Sequence, residues 1–319
     1  MILKEMSKEK INLQRRNFLT LADYSREEIE QLIMLGTELK RKLKKGLHFQ
    51  PLKGKTLGMI FEKASTRTRV SFEVGMLQLG GHALFLNKND MQIGRGETIA
   101  DTAKALSRYL DGIMMRTDDH QKLDELAKHA TIPVINGLCN YFHPTQAIAD
   151  FMTIYEKKGK LSGLKLAYVG DGNNVANSLM IAGAKLGLEV AIATPQGYEP
   201  DSQLVHLAAL EAAKHGGKLL ITNDLHEAVH NADAIYTDVW TSMGQEKEIE
   251  QRLKQFQDYQ INTQVTKLAK NNYIFLHCLP AHRGEEVTAE VIDGTNSVVF
   301  DEAENRLHAQ KAILVSLLG

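Results

Sequence analysis

Apolar residues along the chain recur with two alternating periods. Ile29, Leu32, Ile33, Leu35, Leu39 and Leu43 follow the capping box Ser25-x-x-Glu28 at helical spacing and run out at Gly46, which predicts a first helix. Short apolar runs at Thr56 to Phe61, His82 to Leu86, Gly112 to Met115 and Pro133 to Leu138 then read as strands. Between and after them, helices are expected over Thr68 to Leu79, Ala100 to Leu110, Leu123 to Ala130 and from Pro144 to about Lys157. Gly80 and Gly81 stop the second helix, and Pro144 suits a first helical turn.

A glycine-punctuated stretch from Lys158 to Gly163 precedes a second series. Strands are expected at Lys165 to Val169, Glu189 to Ala193, Lys218 to Thr222, Ala234 to Asp238, Tyr273 to His277 and Ser297 to Phe300, with a last helix from about Asn305 to Leu318. Such alternation predicts an α/β protein of two domains, each a mostly parallel sheet flanked by helices, taken as 1–150 and 151–319. In these sheets ligands lie beyond the carboxyl ends of the strands, so residues just after each strand are the candidates for chemistry.

Composition narrows the classes. The 319 residues hold 38 Lys plus Arg against 39 Asp plus Glu, a net charge of -1, which argues against nucleic acid or an anionic membrane as the main partner. Any anion must therefore be held locally. Hydrophobic residues at 43% suffice for a sizeable core. Only Cys139 and Cys278 could pair, which gives neither a disulfide framework nor a Cys-x-x-Cys motif and fits a reducing compartment. No run approaches the roughly 18 apolar residues of a membrane span. Residues 1 to 16 interleave Lys and Glu without a signal-peptide core, so a cytoplasmic location is expected.

Three motifs resemble known sites but are read otherwise. Gly54-Lys55-Thr56 lacks the earlier glycine of a P-loop and precedes a strand instead of following one. Gly170-Asp171-Gly172 follows a strand as a dinucleotide fingerprint would, but Val175 stands at the third glycine position and no acid follows the next strand. His226-Glu227-Ala228-Val229-His230 matches the zinc-protease pattern, yet sits in a short connector, and is read as a surface helix with two solvated histidines.

The density of donors after the first strand is different in kind. Glu62-Lys63-Ala64-Ser65-Thr66-Arg67-Thr68-Arg69 leads straight into a helix, where free backbone N–H groups, hydroxyls and a guanidinium can together grip an anion. Arg116, His143-Pro144-Thr145-Gln146 and His277-Cys278-Leu279-Pro280 occupy comparable strand ends and suggest one shared cleft.

Ser65-Thr66-Arg67-Thr68-Arg69 together with His143-Pro144-Thr145-Gln146 resembles the signatures of the aspartate/ornithine carbamoyltransferases, over nearly the whole chain. Asp238-Val239-Trp240-Thr241-Ser242-Met243-Gly244 and His277-Cys278-Leu279-Pro280 are similar to the loops of the family's ornithine branch. The resemblance implies a carbamoyl-phosphate-binding first domain, an ornithine-binding second domain and a final helix, about 305–318, that packs back on the first. It implies that Ser65, Thr66, Arg67 and Thr68 hold phosphate, with Gln92 from a neighbouring subunit. Arg116, His143, Gln146, Cys278, Leu279 and Arg306 then address the carbamoyl end, while Asn174, Asp238, Ser242 and Met243 hold L-ornithine. Arg116, His143, Asp238 and Cys278 carry the catalysis.

Carbamoyl transfer to the ornithine side-chain amine is the implied activity, without metal or organic cofactor, in a homotrimer or an assembly of trimers. A carbamoyltransferase for another amine such as putrescine, or a non-catalytic binding protein of the same fold, is the alternative. Arg69 and His277 are read as structural, and Cys139 as a small buried hydrophobe.

Overall fold

A computed structural model describes residues 11–93, 96–241 and 248–319. Ser25 and Glu28 close the expected capping box on α1 (Arg26–Lys44). Four strands, β1 (Thr56–Phe61), β2 (His82–Asn87), β3 (Gly112–Arg116) and β4 (Val134–Leu138), form a parallel sheet in the order β2-β1-β3-β4. Three helices connect them: α2 (Thr66–Gln78), α3 (Ile99–Leu106) and α4 (His120–His129). Before α1, Phe18 bridges Ile135 and extends the sheet past β4.

The helix α5 (Pro144–Lys158) leads to the second sheet, and residue 150 lies inside it. That sheet comprises β5 (Lys165–Val169), β6 (Glu189–Ala193), β7 (Lys218–Thr222), β8 (Ala234–Thr237) and β9 (Ile274–Leu276), all parallel in the order β7-β6-β5-β8-β9. α6 (Asn174–Lys185), α7 (Ser202–His215), α8 (Leu225–Val229), α9 (Ile249–Phe256), α10 (Thr263–Thr266) and α11 (Ala289–Ile292) complete this half. The two-domain, parallel-sheet architecture is the one the alternation predicts.

The chain order reverses direction between β1 and β3 in one sheet and between β5 and β8 in the other. At such switch points the connections leave on opposite faces and open a crevice at the strands' carboxyl ends. The donor-rich segment after β1 and Arg116 at the end of β3 meet at the first crevice; the loops after β5 and β8 meet at the second.

One strand is not where the sequence expects it. Ser297 makes only a single bridge to Phe275, and the chain turns into α12 (Val299–Leu318) instead of continuing as a strand to Phe300. Val298 N–H bonds Phe275 O, after which Asp301 and Glu302 occupy a first helical turn, and Phe300 is left exposed. A short apolar run cannot by itself distinguish strand from helix. The last helix therefore starts six residues before the expected Asn305, and this brings Glu302 into the interior. Buried along most of its length, α12 packs against α1, α2 and α5.

The motif look-alikes resolve locally. A side chain at Gly172 would place its Cβ 2.4 Å from Pro200 N, so this glycine is required by the 198–200 loop packed on it. His230 lies beyond the end of the five-residue α8, and it and His226 are both exposed. The two histidines do not share a helix face.

Candidate active site

Ser65 caps α2: its Oγ accepts from Thr68 N at 3.3 Å and its hydroxyl donates to Thr68 Oγ1 at 3.0 Å. Thr66 is exposed at the first helical position, while Thr68 is fully buried. α2 starts five residues after β1 ends, and the N–H groups of its first turn other than that of Thr68 make a ready anion site.

Three guanidinium groups converge here from different parts of the chain. Arg67 donates from Nη2 to Leu279 O at 2.6 Å, joining the first half to the loop after β9. Arg306, buried on α12, donates from Nη2 to Thr68 Oγ1 at 2.8 Å. Arg116 ends β3 and is buried as well. The Nε atoms of all three are buried without a hydrogen-bond partner among the described residues. Burial and the charges of Arg306 and Arg67 lower Arg116 to about 10, so it stays a cation at neutral pH.

His143 stands at the N-terminal boundary of α5, and its side chain makes no cap hydrogen bond. Its backbone N–H donates to Ser178 Oγ at 2.8 Å, and Thr145 Oγ1 lies 3.5 Å from its Nδ1. Burial, then the charges of Arg306, Arg116 and Arg67, hold its imidazole well below the ordinary histidine range. It is a neutral ring beside three cations. Gln146, one turn on, donates through Nε2 to Asp150 Oδ1 at 2.8 Å and to Glu302 Oε1 at 3.2 Å.

The second half contributes an acid and a thiol. Asp238, just past β8, accepts at Oδ1 from Cys278 Sγ at 3.1 Å and from Val239 N at 2.8 Å, and at Oδ2 from Asn173 Nδ2 at 2.9 Å. Burial and the Asp238 carboxylate push the Cys278 thiol well above its ordinary range, so it stays protonated and donates. Leu279 has φ 58°, an unusual region for a branched residue, with its N–H held by His277 Nδ1 at 2.9 Å. That conformation accompanies the carbonyl bond to Arg67.

Most expected residues thus fall into one connected cluster. Arg67 and Leu279, Arg306 and Thr68, and Cys278 and Asp238 are in contact, and Arg116 and His143 share the field of Arg67 and Arg306. Asn174 opens α6 and donates to Cys139 O at 2.6 Å, bridging the halves close to Asn173. Gln92 is exposed after β2, and no hydrogen bond joins it to the cluster among the described residues. Ser242 and Met243 lie outside the described residues.

The structural readings of the other motif residues fit their contacts. His277 is fully buried between Glu286 and Glu302, Arg69 pairs with Glu73 over the Phe85 ring, and Cys139 is enclosed. Sequence reasoning missed Asn173, Asp150 and Glu302. Asn173 carried a visible signal, an N-cap residue next to a strand end; a buried acid in mid-helix carries none.

Comparison with known proteins decides the lineage. The model of the aspartate/ornithine carbamoyltransferase carbamoyl-P binding domain matches residues 16–156, and that of the Asp/Orn binding domain of the same enzymes matches 162–317. The chain belongs to the aspartate/ornithine carbamoyltransferase family. Within this family it is 61% identical over 308 residues to the ornithine carbamoyltransferase of Anoxybacillus flavithermus, covering 97% of this chain and 98% of that one. It superposes on the solved ornithine carbamoyltransferase of Pyrococcus furiosus with a TM-score of 0.95 at 58% identity, covering 97% and 99% of the two chains. The Thermus thermophilus ornithine carbamoyltransferase follows at 44% identity and TM-score 0.86, over 95% and 99%.

Proposed function

We propose that the crevice between the two halves is the active site, with 1–150 supplying the carbamoyl-phosphate side and 151–319 the amino-acid side. The reaction is transfer of the carbamoyl group from carbamoyl phosphate to the side-chain amine of L-ornithine, giving L-citrulline and phosphate. One observation carries the assignment of the site: Arg67, Arg116 and Arg306 gather in one place, and the Nε of each is buried without a partner. Desolvated like charges repel, and a dianionic phosphate bound among them relieves the repulsion.

In this reading Ser65, Thr66, Arg67 and Thr68 hold the phosphate. Arg116, His143, Gln146, Cys278, Leu279 and Arg306 surround the carbamoyl group. A neutral His143 donating one N–H and a charged Arg116 polarise the carbonyl and stabilise the oxygen charge that develops as the amine attacks. The Asp238 carboxylate faces the ornithine amine, held in place by Asn173 and Cys278. Free ornithine carries a side-chain amine of pKa near that of Lys, about 10.4. The clustered arginines favour the neutral nucleophile over its protonated form, and the departing phosphate takes the proton. Cys278 acts as a hydrogen-bond donor, and no covalent enzyme intermediate forms.

Asn174, Ser242 and Met243 complete the amino-acid side, and Gln92 reaches the phosphate of a neighbouring subunit in a homotrimer or an assembly of trimers. The protein works in the cytoplasm; no helix among the described residues is long and apolar enough to cross a membrane. The test is parallel incubation of carbamoyl phosphate with ornithine, aspartate and putrescine. Ureido product from ornithine alone is expected; equal or greater yield from either competitor refutes the substrate assignment.

A further inference from the structure

Behind Gln146 lies a buried polar group that the reaction as described does not use. Asp150, Glu302, Gln146 and Tyr236 are all essentially inaccessible to solvent, and they come from α5, α12 and β8. Glu302 accepts three donors: Gln146 Nε2 at 3.2 Å and Tyr236 OH at 3.2 Å on Oε1, and His277 N at 2.9 Å on Oε2. Asp150 accepts Gln146 Nε2 at 2.8 Å on Oδ1, whereas its Oδ2 receives no N–H or O–H. The two acids are hydrogen-bonding neighbours, and burial raises both.

Two adjacent carboxylates cannot both be ionised in such surroundings, so the pair keeps one proton. The positive charge of Arg306 acts on the Asp150 side of the pair. Both Gln146 N–H bonds are thereby committed to acids, and the amide cannot flip without setting its oxygen against an acceptor. Gln146 Oε1 is the free end, buried and without a partner.

We infer that Asp150 and Glu302, holding one proton between them, are positioning residues that lock the Gln146 amide so that its oxygen accepts a hydrogen bond from the carbamoyl –NH2. This rests on the reading above that Gln146 addresses the carbamoyl group. A locked acceptor distinguishes the –NH2 end of the carbamoyl group from its carbonyl oxygen, and so fixes which face and which oxygen meet His143 and Arg116. The pair touches neither substrate and acts on the carbamoyl group through Gln146.

The experiment measures kcat, KM for carbamoyl phosphate and the affinity for inorganic phosphate in Asp150→Ala, Asp150→Asn and Glu302→Gln, and repeats Asp150→Ala in a Gln146→Ala background. Phosphate binding reports a folded cradle independently of the amide. Asp150→Ala and Glu302→Gln are expected to lower kcat/KM by roughly 10- to 100-fold, about the 1.5–3 kcal/mol of a hydrogen bond to a charged group, with phosphate affinity changed much less. Asn at 150 keeps an acceptor for Gln146 Nε2 and offers a donor toward residue 302, and recovers most of the loss. In the Gln146→Ala background Asp150→Ala has no further effect. Unaltered kinetics in Glu302→Gln, a loss in Asp150→Asn as large as in Asp150→Ala, or full additivity with Gln146→Ala overturns the inference. Failure of the wild-type protein to form ureido product at all would instead overturn the reading on which it rests.

Discussion

The Cys278 thiol donates to Asp238 Oδ1 across 3.1 Å, from a loop that follows β9 to one that follows β8. A protonated sulfur is a poor nucleophile, so this residue orients a carboxylate instead of attacking the substrate. Cys278→Ala leaves Asp238 with one donor fewer, and the expected result is a higher KM for ornithine together with a lower kcat, by roughly 10-fold for a bond of about 1–2 kcal/mol. Steady-state kinetics with ornithine as the varied substrate checks this, and unchanged constants remove Cys278 from the site. The raised thiol also predicts slow alkylation near pH 8, with the rate climbing only above the ordinary cysteine range.

Arg67 reaches across to Leu279 O, yet its helix is capped by Ser65 and not by its own side chain. Arg67→Ala is therefore expected to cost carbamoyl-phosphate affinity by at least about 10- to 100-fold while the thermal midpoint moves little. Titration calorimetry on the folded variant measures it; wild-type affinity would exclude Arg67 from phosphate binding.

Asn173 does two jobs. Its Oδ1 caps α6 by accepting from Val175 N and Ala176 N, and its Nδ2 fixes Asp238. Asn173→Asp keeps the cap but faces Asp238 with a second carboxylate, so activity should fall, and the stability lost to their repulsion should lessen as pH drops and one of them takes a proton. Asn173→Ala should lose both, with about 1 kcal/mol from the cap. Denaturant melts at neutral and acidic pH run beside kinetic assays separate the two; a stability loss in Asn173→Asp that does not change with pH would contradict the division of labour.

The fold was legible because the helical and strand periods are clean and because helices and strands alternate, which restricts the topology to parallel sheets. The site was legible where ligand-binding side chains follow strands in sequence, as with Ser65 to Thr68 and Arg116. What escaped was long-range. Nothing in the run Ser297 to Phe300 shows that it leaves the sheet after one bridge, and with that misreading Glu302 could not be placed inside. Asp150 looks like any polar residue of a helix until the opposite wall of Glu302 and Tyr236 is seen. Asp238 was found from its motif, but its partner Asn173 required the closing of β5 beside β8.

His308 supplies a pH dependence of stability. It is buried on α12, its Nδ1 has no partner among the described residues, and burial lowers it from 6.5 to about 4. Between those values the unfolded chain binds the proton and the folded chain does not, so stability falls as pH drops from about 6.5 toward 4, by up to about 1.4 kcal/mol per pH unit. His308→Gln should flatten that part of the profile. Chemical denaturation from pH 4 to 7 checks it, and a slope identical in the two proteins would assign the acid sensitivity elsewhere.

The most direct measurement is a crystal structure of the protein soaked with carbamoyl phosphate. Phosphate density is expected on the Thr66 to Thr68 end of α2 within hydrogen-bonding reach of Arg67, with the carbamoyl carbonyl between Arg116 and His143. Density at any other place, or bound ligand that leaves these residues without contact, contradicts the account.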